Sequence, residues 1–166
     1  MSVVAVKIYN DKIAIAADSI MCSGSTNVNI AKSFSKLVEI NDMVMGTVGN
    51  ADEGSLMWLF MATHKPNGAT EKDILEFVAE FATWKAKYTN NNCIDNAYIL
   101  IYQNKVFSIC GLFVTQIDSY LAIGAGEDYA LAALYLNHSP KEAVKVACDL
   151  SCWVAEPIVE IIKNKG

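Results

Sequence analysis

The sequence has few features that would link it to nucleic acid or to a membrane. Thirteen Lys and Arg are outnumbered by 18 Asp and Glu, which gives a formal net charge of −5. It contains no basic run that could attract a phosphate backbone. The apolar run at residues 56–62 is far shorter than the roughly 20 residues that span a bilayer. We therefore expect neither a nucleic-acid partner nor a membrane partner.

Cysteine is present, but not in a pattern typical of metal or redox sites. The five cysteines include no CxxC pair. Cys148 and Cys152 are four residues apart on a predicted helix without further ligands, which favours buried thiols over a metal site. Lys7 and Asp11 interrupt the first apolar segment before a signal-peptide core could form. We expect a cytoplasmic protein that uses no cofactor and no metal.

The hydrophobic pattern predicts one α+β domain over residues 1–166. Short runs rich in Val, Ile and Ala, separated by turn dipeptides, predict antiparallel hairpins, and apolar residues at helical spacing predict helices. Their order favours a four-layer α-β-β-α sandwich of two antiparallel sheets, with the first hairpin central and the helix at 51–64 packed on it. The predicted segments are strands at 2–9, 12–17, 36–40, 43–48, 97–102, 105–110, 120–123 and 157–163, helices at 51–64, 70–89, 127–136 and 140–154, and a loop at 23–29.

Ser2 would become the first residue of the chain if Met1 were removed. It would then carry a hydroxyl and a free α-amine, a group whose reference pKa of about 7.7–8.0 leaves a useful fraction unprotonated near neutral pH. The amine could take the hydroxyl proton, so that nucleophile and base share one residue. A lysine held by a carboxylate would stabilise the developing negative charge. Asp18, which ends the second predicted strand, and Lys36, which begins the third, are the candidates.

Three segments carry a resemblance to a known family. SVVAVKIYNDKIAIAADS, KLVEINDMVMGTVGNADE and LAIGAGEDYALAAL follow in the order and at about the spacing seen in proteasome β-type subunits, and are most similar to the bacterial proteasome-like peptidase HslV. The resemblance implies an N-terminal-nucleophile endopeptidase, in which Ser2 stands at the position of the family's threonine. Asp18 and Lys36 occupy the family's two other positions. In GTVGNAD, Gly49 stands where a backbone N–H receives the oxyanion.

Departures from the family pattern favour an alternative, a catalytically inactive ring-forming subunit with the same fold. Ala125 replaces the serine that is usual in the family's GSG turn. Trp153 stands where an acidic residue normally approaches the amine, with Asp149 one turn earlier. A retained Met1 would convert the α-amine into an amide and remove the base. An amidase that acts on a small substrate is a third possibility.

The predicted helix at 51–64 is apolar on more faces than one sheet can cover, because residues 56–61 form an unbroken apolar run. This pattern favours a homo-oligomer. The resemblance implies a ring, or a double ring that encloses a proteolytic chamber. It also implies unfolded polypeptides as substrates and an AAA+ ATPase unfoldase as a candidate partner.

Overall fold

Strands and helices follow one another in blocks along the chain. The computed structural model describes residues 1–23, 26–29 and 35–166, and for residues 22, 23 and 26–29 it describes the backbone alone. Within this part, the elements are β1 (Val3–Ile8), β2 (Lys12–Ala17), β3 (Ile20–Ser23), β4 (Thr26–Asn29), β5 (Leu37–Ile40), β6 (Met43–Val48), α1 (Ala51–Met61), α2 (Glu71–Thr89), β7 (Ala97–Tyr102), β8 (Lys105–Cys110), β9 (Phe113–Ile117), β10 (Tyr120–Gly124), α3 (Glu127–Tyr135), α4 (Pro140–Leu150) and β11 (Val159–Asn164).

Two antiparallel sheets contain nine of the described strands. The first sheet has the order β10-β1-β2-β11, and the second has the order β5-β6-β7-β8-β9. The first hairpin, β1 with β2, is therefore central in its sheet, as predicted. Strands β3 and β4 pair separately as a small hairpin.

Among the residues that the structure describes, three hydrophobic clusters hold four layers together. One cluster joins α1 and α2 to the five-stranded sheet, and it includes Met45 and Phe60. A second lies between the two sheets, where Val4 and Ile15 meet residues of β6 and β7. The third joins α3 and α4 to the four-stranded sheet through small side chains such as Ala16. The layers therefore follow the predicted α-β-β-α order, and the α+β fold class is confirmed.

Polar side chains at the starts of α2 and α4 determine where these helices begin. Thr70 accepts the backbone N–H of Asp73, whose carboxylate in turn accepts the N–H of Thr70. The same reciprocal arrangement joins Ser139 and Glu142, with Pro140 in the first turn. Such capping boxes satisfy backbone N–H groups that have no partner within the helix. The predicted helix starts at both places are confirmed.

Helix α1 lies on the five-stranded sheet, so the predicted packing of the helix at 51–64 on the first hairpin is wrong. The chain passes from β6 into α1 through only two residues, which keeps the helix on the sheet that contains β6. Helices α3 and α4 cover the first hairpin instead. Within the apolar run, Met57, Phe60 and Met61 are fully buried, whereas Leu59 is 54% exposed.

Several element boundaries also differ from the sequence prediction. The expected loop at 23–29 contains strand β4, whose polar residues pair through the backbone with β3. Strand β9 was not predicted, although it pairs with β8 along its whole length. Helix α4 ends at Leu150 because Ser151 is extended, and Cys152 beyond it is exposed instead of buried. Among the described residues, no helix is long and apolar enough to cross a membrane.

We expect Phe60→Ala to destabilise the protein by about 3–5 kcal/mol, because it would leave a cavity where α1, α2 and the sheet meet. Leu59→Ala, on the exposed side of the same helix, is the matched control and should cost about 0.5 kcal/mol. Urea unfolding followed by circular dichroism measures both changes. Equal losses in the two variants would contradict this assignment of the buried face of α1.

Candidate active site at the N-terminus

Asp18 and Lys36 form a buried ion pair between the two sheets. Lys36 Nζ lies 2.8 Å from each carboxylate oxygen of Asp18, and the two side chains are 5% and 0% exposed. Asp18 directly follows β2 of the four-stranded sheet, and Lys36 directly precedes β5 of the five-stranded sheet. Asp18 also accepts the backbone N–H groups of Val3 at 2.8 Å and Ile20 at 3.4 Å. These bonds fix the direction of the carboxylate and, through it, of the ammonium group.

Ser2 is buried next to this ion pair. Lys36 Nζ donates to the carbonyl oxygen of Met1 at 3.3 Å, which is the carbonyl of the peptide bond between Met1 and Ser2. The carbonyl of Ser2 accepts the N–H of Gly126 at 3.4 Å. The fold thus brings together Ser2, Asp18 and Lys36, three of the four site residues that the sequence suggested. With Met1 in place, the nitrogen of Ser2 is an amide and has no lone pair available as a base.

Gly124 allows the strands around Ser2 to approach closely. It has a φ of +101°, and a Cβ at this position would lie 2.3 Å from the carbonyl oxygen of Ser2. The same Cβ would lie 3.1 Å from a methyl of Val48, the residue before Gly49. Only glycine fits this position without movement of the backbone. The end of β6, which leads to Gly49, therefore packs beside the start of β1.

Gly49 connects β6 to α1 in a conformation that favours glycine. Its φ is +125°, and a Cβ here would lie 2.2 Å from Oδ1 of Asn96. The next residue, Asn50, caps α1, because its side chain accepts the N–H of Asp52 at 2.8 Å. Gly49 thus lies at the positive end of a helix dipole, a favourable place for a negative charge.

A buried polar network, which no sequence motif indicated, lies behind this turn. Glu53 pairs with Lys85 at 2.8 Å and accepts the N–H of Asn96 at 3.0 Å and the hydroxyl of Tyr98 at 2.9 Å. Burial alone would raise the pKa of Glu53, but hydrogen bonds from Lys85 and from backbone N–H groups lower it overall. Burial and the Glu53 carboxylate raise the pKa of Tyr98. Lys85 follows Phe81 by four residues on the apolar stripe of α2, a signal that could have revealed a buried partner.

The residues that depart from the family pattern lie around α3 and α4. Asp149 is exposed and pairs with Lys145 on the surface of α4. Trp153 is partly exposed beyond the end of this helix, and Ala125 is exposed before α3. Burial, together with the Asp18 carboxylate, raises the pKa of the Cys148 thiol to about 11. That thiol is therefore protonated at neutral pH and is not an alternative nucleophile.

Solved structures provide the comparisons with known proteins, since no family model and no curated protein matches the chain. Thiobacillus denitrificans BPH in complex with epoxomicin matches with a TM-score of 0.89 and 16% identity, over 99% of each chain. BPH in a second structure matches with a TM-score of 0.89 and 15% identity, over 99% of this chain and 98% of that one. Eukaryotic HslV from Trypanosoma brucei matches with a TM-score of 0.72 and 19% identity, over 96% of this chain and 98% of that one.

The chain has the fold of HslV and BPH. The resemblance that the sequence motifs predicted is thus confirmed at the level of the fold. In this HslV fold, the ion pair of Asp18 and Lys36 lies at the start of the first strand of the four-stranded sheet.

We expect Lys36→Met to destabilise the protein by about 3–5 kcal/mol, because it would leave the Asp18 carboxylate buried without its cation. Adding Asp18→Asn removes that charge while keeping the shape, so the double variant should lose less than the sum of the two single variants. A double-mutant cycle measured by urea unfolding tests this coupling. Lys72→Met, in an exposed pair with Glu76, is the control and should change stability little. Strictly additive losses at Asp18 and Lys36 would contradict the coupling.

Proposed function

We propose that the chain is a peptidase subunit of the proteasome β-type and HslV kind, with Ser2 as its nucleophile after Met1 is removed. One observation carries the proposal. The Lys36 ammonium, held by Asp18, is hydrogen-bonded to the carbonyl of the peptide bond between Met1 and Ser2. The positive charge therefore lies next to the peptide bond that contains the nitrogen of Ser2. The fold shared with HslV supports the same proposal.

Removal of Met1 would convert the amide nitrogen of Ser2 into a free α-amine. The Ser2 hydroxyl would then attack the carbonyl carbon of a substrate peptide bond while the amine takes its proton. Lys36 would stabilise the oxygen of Ser2 as its proton leaves, and Asp18 would keep the ammonium charged and oriented. Because Asp18 is itself held by the N–H of Val3, its position is tied to the first strand.

The attack forms a tetrahedral intermediate whose oxyanion would accept the N–H of Gly49. As the intermediate collapses, the carbon–nitrogen bond breaks and the protonated amine of Ser2 gives its proton to the leaving group. The substrate's acyl group stays on the Ser2 oxygen as an ester. A water molecule then attacks this ester with the α-amine as base, releasing the carboxylic acid and restoring the Ser2 hydroxyl.

A subunit of the same fold without proteolytic activity is the alternative function. It is favoured by the pairing of Asp149 with Lys145 on the surface of α4, because the Asp149 carboxylate is then held away from the amine. It is also favoured by Ala125, which supplies no hydroxyl beside the nucleophile. In this alternative, Met1 stays on the chain and Lys36 keeps its bond to the Met1 carbonyl.

We expect purified protein to lack Met1 by intact mass and to hydrolyse a fluorogenic peptide. Ser2→Ala should lower kcat/KM by at least about 10³-fold, because it removes the nucleophile. Its fold should be unchanged by circular dichroism. Epoxomicin, which is bound in one BPH structure, should inhibit the wild-type protein.

Ser55→Ala, on the exposed surface of α1, is the control and should keep wild-type activity. Equal turnover by the wild type and Ser2→Ala would assign the activity to another residue or to a contaminant. Retention of Met1 together with the absence of hydrolysis would favour the inactive subunit.

The proposed function includes self-assembly, because an unselective peptidase in the cytoplasm, where we expect the protein, needs confinement. Within the apolar run of α1, three residues are buried and two are half-buried, so the helix offers less surface for assembly than the sequence suggested. Tyr135, Leu136 and Leu150, on α3 and at the end of α4, are exposed instead. We propose that this α3–α4 surface packs against a second copy in a ring or double ring. Unfolded polypeptides as substrates and an AAA+ unfoldase as partner belong to the same proposal.

Light scattering should give a particle several times heavier than the 18.1 kDa chain. Leu136→Glu should lower this mass, because it would place a charge in the proposed interface. Leu59→Glu, at an exposed leucine on α1, is the matched control and should leave the mass unchanged. A monomer at micromolar concentration would contradict assembly. A fall in mass for Leu59→Glu but not for Leu136→Glu would place the interface on α1.

A further inference from the structure

The side chain of Asn96 binds the backbone of the turn between β6 and α1. Its Oδ1 accepts the N–H of Asn50 at 2.5 Å, and its Nδ2 donates to the carbonyl of Asn50 at 2.8 Å. Nδ2 also lies 3.4 Å from the hydroxyl of Thr47. One buried side-chain amide thus satisfies both backbone groups of the residue that follows Gly49.

Asn96 is well placed for this contact because it continues the pairing between β6 and β7. The last backbone pair of these strands joins Val48 to Ala97, so Asn96 lies opposite Gly49. At Gly49 the φ of +125° turns the chain out of the sheet, and regular pairing stops. The Asn96 amide takes the place of the missing backbone partner.

Asn96 is itself held by the buried ion pair of Glu53 and Lys85. The backbone N–H of Asn96 donates to Glu53 Oε1 at 3.0 Å, and the N–H of Asp95 donates to Glu53 Oε2 at 3.1 Å. Lys85 donates to Glu53 at 2.8 Å and also to the carbonyl of Cys93. Through Glu53 and Lys85, helices α1 and α2 therefore fix the position of the Asn96 backbone, and with it the direction of the Asn96 side chain.

We infer that Asn96 is a positioning residue that fixes the direction of the Gly49 N–H for the oxyanion, an inference that rests on the proposed function. The strand pairing at Val48 fixes the backbone before Gly49, and the two bonds from Asn96 fix the peptide groups of Asn50 after it. The Gly49 N–H lies between these two fixed points. An oxyanion donor is effective only when its direction is set before the charge develops.

The test uses protein without Met1, a fluorogenic peptide and a peptide aldehyde, whose adduct with a serine hydroxyl also carries an oxyanion. Asn96→Ala should lower kcat by about 10- to 100-fold with little change in KM. The inhibition constant of the aldehyde should rise by a similar factor. Asn96→Asp has the same shape but places an oxygen against the Asn50 carbonyl, so it should also lower kcat. This variant tests the inference if Asn96→Ala does not fold.

Asn41→Gly is the matched control. The Asn41 amide donates to the carbonyl of Met61 at 2.7 Å, at the opposite end of α1, and its φ of 50° suits glycine. This variant loosens α1 without touching Gly49, so its kcat should stay close to that of the wild type. A fall in kcat as large as that of Asn96→Ala would overturn the inference in favour of a general loss of α1 stability.

Wild-type kcat in a folded Asn96→Ala or Asn96→Asp variant would overturn the inference while leaving the proposed function intact. An inactive wild type would overturn the proposed function, and with it the catalytic part of the inference. Hydrogen exchange then decides the structural part. Faster exchange of the Asn50 amide in Asn96→Ala, with exchange in the C-terminal half of α1 unchanged, would support the fixing of the Asn50 backbone by Asn96. Unchanged exchange at Asn50 would overturn it.

Discussion

The buried ion pair of Asp18 and Lys36 is the constraint on which the arrangement at the N-terminus depends. It joins the end of β2 to the start of β5, and so ties one sheet to the other where the N-terminus enters β1. Burying either charge without the other would lower the stability of the fold by several kcal/mol, so the two groups can be buried only as a pair. Asp18 also accepts the backbone N–H of Val3, the residue that follows Ser2. The ion pair that makes the burial of Asp18 possible therefore also fixes the position of Ser2.

The four-layer architecture could be predicted from sequence because its strands carry strong local signals. Strands β7 and β8 are Val-, Ile- and Tyr-rich runs around Gln103-Asn104, both of which have the positive φ that such a turn requires. The ion pair at Asp18 and Lys36 became predictable through the family resemblance. Strand β9 was missed because it lies at the edge of the sheet, where its residues are exposed or half-buried and the hydrophobic pattern is weak.

The position of α1 and the network around Asn96 could not be predicted in the same way. The sequence of an apolar helix does not indicate which of two sheets the helix covers. The two-residue connection from β6 places α1 on the five-stranded sheet. Glu53 and Lys85 are 32 residues apart and Asn96 lies in a polar loop, so only the folded chain brings them together. Glu53 and Asn96 look like ordinary surface residues in the sequence, because polar side chains are usually found at the surface. The place of Lys85 on the apolar stripe of α2 indicates burial, but it does not identify the partner.

The contact between Lys36 and the Met1 carbonyl has a consequence for how the protein is produced. Any residue fused before Ser2, such as a purification tag, would supply the same carbonyl and keep the serine nitrogen acylated. If Ser2 is the nucleophile, recombinant protein tagged at this end would fold but would be inactive, and this inactivity would be mistaken for a property of the natural chain. The other terminus is free of this difficulty, because Gly166 is exposed beyond β11, and a tag there leaves the first residue unblocked.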